Sequence, residues 1–256
     1  MRRGCIVIPV RLDSQRLKEK ALVDVKGMSM LEHVWRRARL AVSNDKLFIA
    51  TSDSRVEKSL SHLPINWYKS MQNHSSGTSR VVEFMKESPH FDFVTVLQGD
   101  EILINPETLL KLMTAMETSL KDAINVVSPL ESLDDLHDLN IVKCFINGRS
   151  EVGFLFRKNP FGNSLDLKLQ NVRIVRGLFA ISKSVILPFL NQKTISLANS
   201  ESIEQFTLLE NGLEIGSHLE NEYYPSINTQ QDLDKVLAIL DSDIQQVDIL
   251  KRISAI

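Results

Sequence analysis

Short apolar runs rich in β-branched residues alternate with segments of helical periodicity through the first half of this chain, and the alternation limits the possible folds. Residues 5–10 and 93–97 have the length and composition of buried strands. Residues 30–41 carry apolar side chains at helical spacing. Strands joined through helices form right-handed crossovers, which produce a mostly parallel sheet covered on both faces. The sequence therefore predicts an α/β protein with three layers and a mostly parallel central sheet.

The same signals predict further elements and the domain organisation. Asn147 and Gly148 suit the turn of a hairpin between residues 141–146 and 152–156. No repeat or linker divides the 256 residues, so we expect one domain over residues 1–240 and a helical tail over residues 241–256. Strands are also predicted at residues 46–50, 65–68, 123–128, 172–181 and 213–217, and helices at residues 106–118, 201–211 and 229–240.

Charge and cysteine content exclude several classes of partner. The 30 basic and 32 acidic side chains leave a net charge of −2, so the chain as a whole is not attracted to nucleic acid or to an anionic membrane. Two cysteines, Cys5 and Cys144, provide neither a disulfide framework nor a thiolate metal site. The apolar run at residues 5–10 is too short for a signal peptide or a membrane span. We expect a cytoplasmic protein that binds no nucleic acid and no membrane.

A basic segment directly follows the first predicted strand. It places Arg11, Arg16, Lys18 and Lys20 around Ser14, in a loop at the carboxyl edge of the sheet. Parallel α/β sheets bind ligands at that edge, and a triphosphate requires several converging cations and donors. The alternative is a solvated basic loop. No GxxxxGK[ST] or GxGxxG motif occurs in the chain, which disfavours ordinary P-loop and dinucleotide-binding folds.

Two more polar segments follow predicted strands. Residues 98–101 (QGDE) end a strongly apolar strand, where Asp100 could hold Mg²⁺ against phosphate oxygens and Gly99 could permit close backbone approach. Residues 74–80 (HSSGTSR) precede a helix, whose N-terminal amides and hydroxyls could bind an anion or a ribose. The alternatives are an ordinary acidic turn for the first segment and a helix cap without a ligand for the second.

These three segments, in their order and spacing, resemble the 3-deoxy-manno-octulosonate cytidylyltransferase family, also called CMP-Kdo synthetases. Residues 9–20 are similar to that family's P-A-R-x-x-S-x-R-L-P-x-K loop, and residues 74–80 to its H-x-S-G-T-E-R segment. Residues 98–101 match the first four positions of its Q-G-D-E-P. Three further segments are more weakly similar. Residues 140–143 resemble the family's N-x-V-K, residues 204–215 its E-Q-L-R-x-L-x-x-G-x-x-I, and residues 228–233 its D-T-P-E-D-L. The resemblance extends to about Leu240.

The resemblance implies a nucleotide-diphospho-sugar transferase-like fold and an enzyme that uses Mg²⁺. CTP would react with an acidic 3-deoxy-2-ulosonic sugar, giving a CMP-sugar and pyrophosphate for surface polysaccharide synthesis, such as lipopolysaccharide or capsule. Arg11, Arg16 and Lys20 would neutralise the phosphates, and Asp100 and Asn228 would hold the metal. The other implied substrate-binding residues are Pro9, Ser14, His74, Ser76, Gly77, Thr78, Gln98, Arg157, Glu204 and Gln205. The resemblance further implies a homodimer, with dimerisation and sugar binding around residues 145–220.

Several positions depart from the family pattern. Asn228 stands where the family has a metal-binding aspartate, and an amide oxygen binds Mg²⁺ more weakly than a carboxylate. Met71 replaces an arginine near the expected base pocket. Val175 and Thr207 replace a histidine and an arginine of the sugar site. These departures favour an acidic sugar other than Kdo.

Two other functions remain open from the sequence. A non-catalytic family member could bind a nucleotide or a sugar, which the substitutions at Asn228 and Met71 would suit. A nucleotidyltransferase of the same architecture could use a different base or sugar, for example making a nucleoside diphosphate sugar from a sugar phosphate. Such enzymes usually carry a glycine-rich loop after the first strand, which this chain lacks.

Overall fold

The computed structural model describes residues 1–12, 17–71, 74, 76–160, 171–189 and 203–256. Its strands are β1 (Gly4–Pro9), β2 (Asp24–Val25), β3 (Met28–Ser29), β4 (Leu47–Thr51), β5 (Asn66–Lys69), β6 (Phe93–Leu97), β7 (Ala123–Pro129), β8 (Lys143–Ile146), β9 (Val152–Phe156), β10 (Val172–Ser182) and β11 (Ile215–Leu219). The helices are α1 (Met30–Ala41), α2 (Ser54–Ser59), α3 (Gly77–Glu87), α4 (Pro106–Thr118), α5 (Leu133–His137), α6 (Lys183–Phe189), α7 (Phe206–Glu210), α8 (Gln230–Ser242) and α9 (Ile244–Ser254).

The central sheet has the strand order β11-β7-β10-β6-β1-β4-β5, with β8 and β9 attached at β10. Four neighbouring pairs along this order are parallel: β1 with β4 and with β6, β4 with β5, and β7 with β11. Strand β10 runs antiparallel to its neighbours β6 and β7. The prediction of an α/β fold with a mostly parallel sheet is confirmed.

Two apolar clusters cover the two faces of this sheet. Successive residues of β1 alternate between them: Ile6 and Ile8 belong to one cluster, and Cys5 and Val7 to the other. The first cluster includes side chains of α1, α4 and α8, and the second includes side chains of α3 and α6. All six residues of β1 are buried, because a central parallel strand covered on both faces meets no solvent. The sheet and its two helical layers form the three predicted layers.

Element boundaries differ from the predictions mainly in the second half of the chain. The hairpin predicted around Asn147 and Gly148 is present as β8 and β9. The helix predicted over residues 201–211 is shorter in the structure, from Phe206 to Glu210, because residues 203–205 are described and are not helical. Residues 201 and 202 lie outside the described residues. Helices α5 and α6 and the two-residue strands β2 and β3 were not predicted. They are too short to show a hydrophobic period in the sequence.

The C-terminal helix α9 is tied to the interior by two fully buried polar side chains. Arg37 of α1 donates from Nη1 to Oε1 of Gln246 at 2.8 Å and to the Ile104 carbonyl at 3.1 Å. Gln246 donates from Nε2 to the Leu103 carbonyl at 3.0 Å. Helix α9 therefore supports the segment that follows residues 98–101. Within the described ranges, no helix has both the length and the apolar character needed to cross a bilayer.

His33 makes the stability of this fold depend on pH. Its ring lies in the core on α1, where Nε2 donates to the Val25 carbonyl at 2.7 Å. Burial lowers the pKa of His33 from 6.5 to about 4, although the hydrogen bond to Val25 opposes the shift. The unfolded chain therefore binds a proton more readily than the folded protein below pH 6.5, so stability falls as the pH decreases from 6.5 towards 4.

We expect His33 to lower the free energy of unfolding by about 2 kcal/mol between pH 7 and pH 5. Urea denaturation of the wild type and of His33→Gln at both pH values measures this, because glutamine retains a donor but does not titrate. The variant should lose less stability on acidification than the wild type. Equal losses in the two proteins would contradict the assignment.

Candidate active site

A cavity of about 1200 Å³ opens at the edge of the sheet where β1 and β6 end. The described parts of the three polar segments selected from the sequence lie at this edge, since they follow β1, β5 and β6. Parallel strands present their carboxyl ends on one side, which is why segments far apart in sequence meet there. The predicted site residues that line the cavity are Arg11, Ser76, Gly77, Thr78, Gln98, Asp100, Arg157, Glu204, Gln205 and Asn228.

Lys20 joins the two side chains for which a metal-binding role was predicted. Its ammonium donates to Oδ2 of Asp100 at 2.7 Å and to Oδ1 of Asn228 at 3.1 Å. The side chains of Lys20 and Asp100 retain 18% and 25% of their exposure, so the ion pair is partly shielded from solvent. The carboxylate of Asp100 and the side-chain amide of Asn228 therefore point towards the same place, and the ammonium of Lys20 lies between them.

Asn228 is held with its oxygen towards Lys20. Its Nδ2 donates to Oγ of Ser226 at 3.2 Å, and its backbone amide donates to Oδ2 of Asp232 at 2.9 Å. Asp232 also accepts the amide of Thr229, the residue that caps α8. Because the side-chain nitrogen of Asn228 donates to Ser226, the side-chain oxygen is the atom that faces Asp100 and Lys20.

The oxygen pair fits a magnesium ion better than a transition metal. Mg²⁺ prefers oxygen ligands and is commonly bound through one or two protein groups together with substrate phosphates. Asp100 and Asn228 supply two such oxygens. In the part of the chain that the structure describes, no group of three or more His, Cys, Asp or Glu side chains could hold a metal. Asp100 and Asn228 therefore suit an ion whose remaining ligands come from the phosphates of a bound molecule.

The N-terminus of α3 lies against β1 and the segment after β6. Ser76 caps the helix by accepting the Ser79 amide, and Gly77 is its first residue. A Cβ on Gly77 would lie 3.1 Å from Cγ of Pro9 and 3.4 Å from Oε1 of Gln98, so glycine permits this close approach. The amide-rich end of α3 is thereby brought to the cavity, where it favours an anion. Gly99, for which close approach was expected, has its nearest such contact at 3.6 Å.

Arg80 fixes the start of the basic segment. It is 5% exposed, and its Nη1 donates to the carbonyl of Val10, while Nη2 lies 3.4 Å from Oγ of Ser52. Arg11 follows Val10 directly and lines the cavity. No separate role was predicted for Arg80, because its position in a helix does not reveal that its side chain reaches back to the residue after β1. Ser14 and Arg16, both predicted site residues, lie outside the described residues.

His74 is not among the residues that line the cavity, and its contact with a substrate stays a prediction. Its Nε2 lies 2.6 Å from Oε2 of Glu83 on α3. Glu83 also accepts the hydroxyl of Ser70 and, at 3.1 Å, the amide of Met71. Burial raises the pKa of Glu83, but these hydrogen bonds outweigh it and hold the pKa below its usual value. Glu83 therefore ties Ser70, Met71 and His74 to α3.

Three more predicted positions lie beside the cavity and not on its wall. Pro9 is buried beneath Gly77, and Lys20 reaches the cavity only through Asp100 and Asn228. Met71 is 82% exposed. Its side chain therefore lies outside the cavity that the described residues form.

The residues predicted to face a sugar also line the cavity. Arg157 follows β9 and donates to the carbonyls of Leu139 at 3.3 Å and Asn140 at 3.0 Å. Glu204 and Gln205 immediately precede α7. Val175 lines the cavity, whereas Thr207 is 1% exposed and faces the interior. Of the two predicted departures in this region, only Val175 contributes to the wall.

A buried ion pair that was not predicted closes the floor of the cavity. Arg176 of β10 donates to Oε2 of Glu101 at 2.7 Å, and the two residues are 4% and 5% exposed. Oε1 of Glu101 accepts the Gly177 amide at 2.8 Å. A Cβ on Gly177 would lie 2.7 Å from that oxygen, so glycine is required here. Strand β10 carries two arginines, Arg173 and Arg176, and the sequence does not show which of them pairs with Glu101.

Comparisons with known proteins agree with this geometry. A sequence model of the family described as "Cytidylyltransferase" matches residues 5–215. The chain is 31% identical over 242 residues to the 3-deoxy-manno-octulosonate cytidylyltransferase of Chlorobium phaeobacteroides, covering 93% of this chain and 97% of that protein. The Escherichia coli protein of the same name is 27% identical over 247 residues, covering 96% of this chain and 99% of that one.

Solved structures extend the comparison to the fold. A CMP:2-keto-3-deoxy-manno-octonic acid synthetase complexed with CTP superposes with a TM-score of 0.86 at 26% identity, covering 94% of this chain and all of the other. The fold of this chain is thus that of nucleotidyltransferases. The match to the family model spans most of the chain, and the relative from Chlorobium is similar over nearly its whole length. This chain belongs to the cytidylyltransferase family that includes the 3-deoxy-manno-octulosonate cytidylyltransferases.

Proposed function

We propose that this cytidylyltransferase transfers CMP from CTP to the anomeric hydroxyl of an acidic 3-deoxy-2-ulosonic sugar and releases pyrophosphate. The observation that carries the proposal is the convergence of Lys20, Asp100 and Asn228 beside Arg11 and the N-terminus of α3. This arrangement offers cations, amides and metal-binding oxygens to one polyphosphate. The relatives named above, and the structural neighbour with CTP, support this choice of nucleotide and acceptor.

The triphosphate would lie between the basic segment and α3. Arg11 and the first residues of α3 line the cavity, and Lys20 reaches it through Asp100. Anions are stabilised at a helix N-terminus, and arginine and lysine donate charge-assisted hydrogen bonds to phosphate oxygens. Arg16 and Ser14 belong to the same proposed phosphate-binding segment on the basis of the sequence.

The reaction requires the stabilisation of developing negative charge. The anomeric oxygen of the sugar would attack the α-phosphorus in line, and the bond from that phosphorus to the β-phosphate oxygen would break. Pyrophosphate leaves with the electron pair of that bond, and the hydroxyl proton passes to solvent. Arg11 and Lys20 neutralise the phosphates as this charge develops, and each contact of this kind contributes on the order of 3 kcal/mol to the transition state.

Asp100 and Asn228 would hold Mg²⁺ against the phosphates. When bound, the ion would neutralise phosphate charge and orient the α-phosphate for attack. Lys20 already contacts both oxygens and therefore keeps them directed at one point. With one carboxylate and one amide, the protein contributes less charge to the ion than two carboxylates would.

The acceptor would occupy the part of the cavity that is lined by Arg157, Glu204 and Gln205. Gln98, Glu204 and Gln205 supply donors and acceptors for hydroxyl groups, and Arg157 is the cation proposed to meet the sugar carboxylate. Val175 adds an apolar side chain to this wall. These residues favour a Kdo-like acid whose substituents differ from those of Kdo. We further propose that the protein acts as a cytoplasmic homodimer, in a pathway that builds surface polysaccharide.

The direct test is turnover by purified protein with Mg²⁺, CTP and a panel of ulosonic acids. Pyrophosphate release and a product with the mass of a CMP-sugar are the expected results. A product containing a diphosphate linkage would indicate the alternative of a nucleoside diphosphate sugar. No pyrophosphate with any acid would favour a non-catalytic protein that binds a nucleotide or a sugar.

A second prediction concerns the metal-binding pair. Asn228→Asp restores a second carboxylate and should lower the Mg²⁺ concentration for half-maximal activity severalfold, because carboxylates bind Mg²⁺ more tightly than amides. Asp100→Asn should reduce kcat about 100-fold or more, because it removes the remaining carboxylate. Asn221→Asp, at an exposed position, is the matched control. An unchanged Mg²⁺ requirement in Asn228→Asp would contradict the proposed ligand role.

A third prediction concerns Glu83, which holds residues that precede α3. Glu83→Gln removes the charge that holds Ser70, Met71 and His74, and should raise KM for CTP about tenfold with a smaller change in kcat. Steady-state kinetics with varied CTP measures the effect. Glu87→Gln, exposed at the end of the same helix, should leave KM unchanged. Equal kinetics of the two variants would show that Glu83 does not position this segment.

A further inference from the structure

Arg176 is a buried cation that lies between the two segments carrying the proposed metal ligands. One segment is residues 98–101, which includes Asp100, and the other is residues 220–229, which includes Asn228. The guanidinium of Arg176 contacts both of them and lines the floor of the cavity. Its role is not explained by the contacts of the substrate-binding residues described above.

On the side of Asp100, the contact runs through Glu101. Arg176 donates to one oxygen of Glu101 at 2.7 Å, and the other oxygen accepts the Gly177 amide at 2.8 Å. The Gln98 amide donates to the Gly177 carbonyl at 2.9 Å. Residues 98 and 101 are therefore both fastened to β10, and Asp100 lies between these two attachment points.

On the side of Asn228, the contact runs through Glu220 and Tyr223. Nη1 of Arg176 lies 4.0 Å from Oε2 of Glu220, and the guanidinium carbon lies 5.3 Å from the centre of the Tyr223 ring. Glu220 also accepts the hydroxyl of Thr108 at 2.6 Å. The two segments meet directly where the Ile227 amide lies 3.4 Å from the Asp100 carbonyl.

The charge of Arg176 is balanced inside the protein. Burial alone would lower its pKa, but Glu101 and Glu220 raise it above the usual arginine value, so the guanidinium stays charged. Removing it would leave the Glu101 carboxylate buried without its counter-ion, so Glu101 and the backbone next to Asp100 would move from their present positions.

We propose that Arg176 is a positioning residue that sets the spacing of the Asp100 and Asn228 oxygens, through Glu101 on one side and Tyr223 on the other. The proposal rests on the proposed function, because it takes these two oxygens as the metal ligands. Arg176 itself touches neither the metal nor the reacting atoms. Its loss should weaken metal binding while nucleotide contacts made by Arg11 and α3 persist.

The test measures metal and nucleotide binding without any acceptor sugar. Mn²⁺ affinity is determined by electron paramagnetic resonance in the presence of saturating CTP, and CTP affinity is determined by calorimetry in the absence of metal. Arg176→Met should weaken Mn²⁺ binding about tenfold or more, the usual effect of removing a group that orients a metal ligand. Its metal-free CTP affinity should change less than about threefold.

Two further variants isolate the contact with Glu101. Glu101→Gln should weaken Mn²⁺ binding to a similar extent, and Arg176→Met/Glu101→Gln should bind no more weakly than either single variant, because both act through one contact. Arg176→Lys keeps the charge but not the forked geometry, so it should bind with intermediate affinity, and it serves if Arg176→Met does not fold. The control is Arg173→Met on the same strand, which should bind Mn²⁺ as the wild type does.

The outcomes separate this proposal from the proposed function. Wild-type Mn²⁺ affinity in Arg176→Met, or additive losses in the double variant, would overturn the role of Arg176 alone. If the wild type with CTP bound no Mn²⁺, both this proposal and the metal-dependent function would fail. Parallel losses of Mn²⁺ affinity, metal-free CTP affinity and thermal stability would indicate a general packing role and would also overturn the proposal.

Discussion

The parallel pairing of β1 with β4 and β6 is the constraint on which the rest of the structure depends. Because these strands run in one direction, their following loops emerge at one edge of the sheet. Burial of β1 on both faces leaves the loops as the part of this region that can carry polar groups. The basic segment, the N-terminus of α3 and residues 98–101 meet there without any of them being near the others in sequence.

Charge balance organises the site that results. Lys20 lies against Asp100 and Arg176 lies against Glu101, so these charged groups at the cavity have an opposite charge within hydrogen-bonding distance. Partly buried groups that are paired in this way keep a fixed geometry, because moving either one would leave the other buried without its counter-charge. A polyphosphate entering the cavity would meet cations whose positions are already set by carboxylates.

The departures from the family pattern lie in different surroundings in the structure. Asn228 retains an oxygen directed at Lys20, since Ser226 and Asp232 orient its amide and backbone. Val175 lines the cavity from strand β10, whereas Thr207 is buried. The hydrogen bonds of Asn228 keep its oxygen next to Asp100.

The sequence alone determined the fold class, the family, and the three segments that supply the cavity, because hydrophobic period and motif spacing are local properties of the chain. It could not show that His74 faces Glu83, that Arg80 reaches the Val10 carbonyl, or that Arg176 pairs with Glu101. Those contacts join residues separated by nine, 70 and 75 positions. Local patterns are silent on such contacts, because the partner of a buried polar side chain is decided only when tertiary packing brings distant segments together and excludes water from between them.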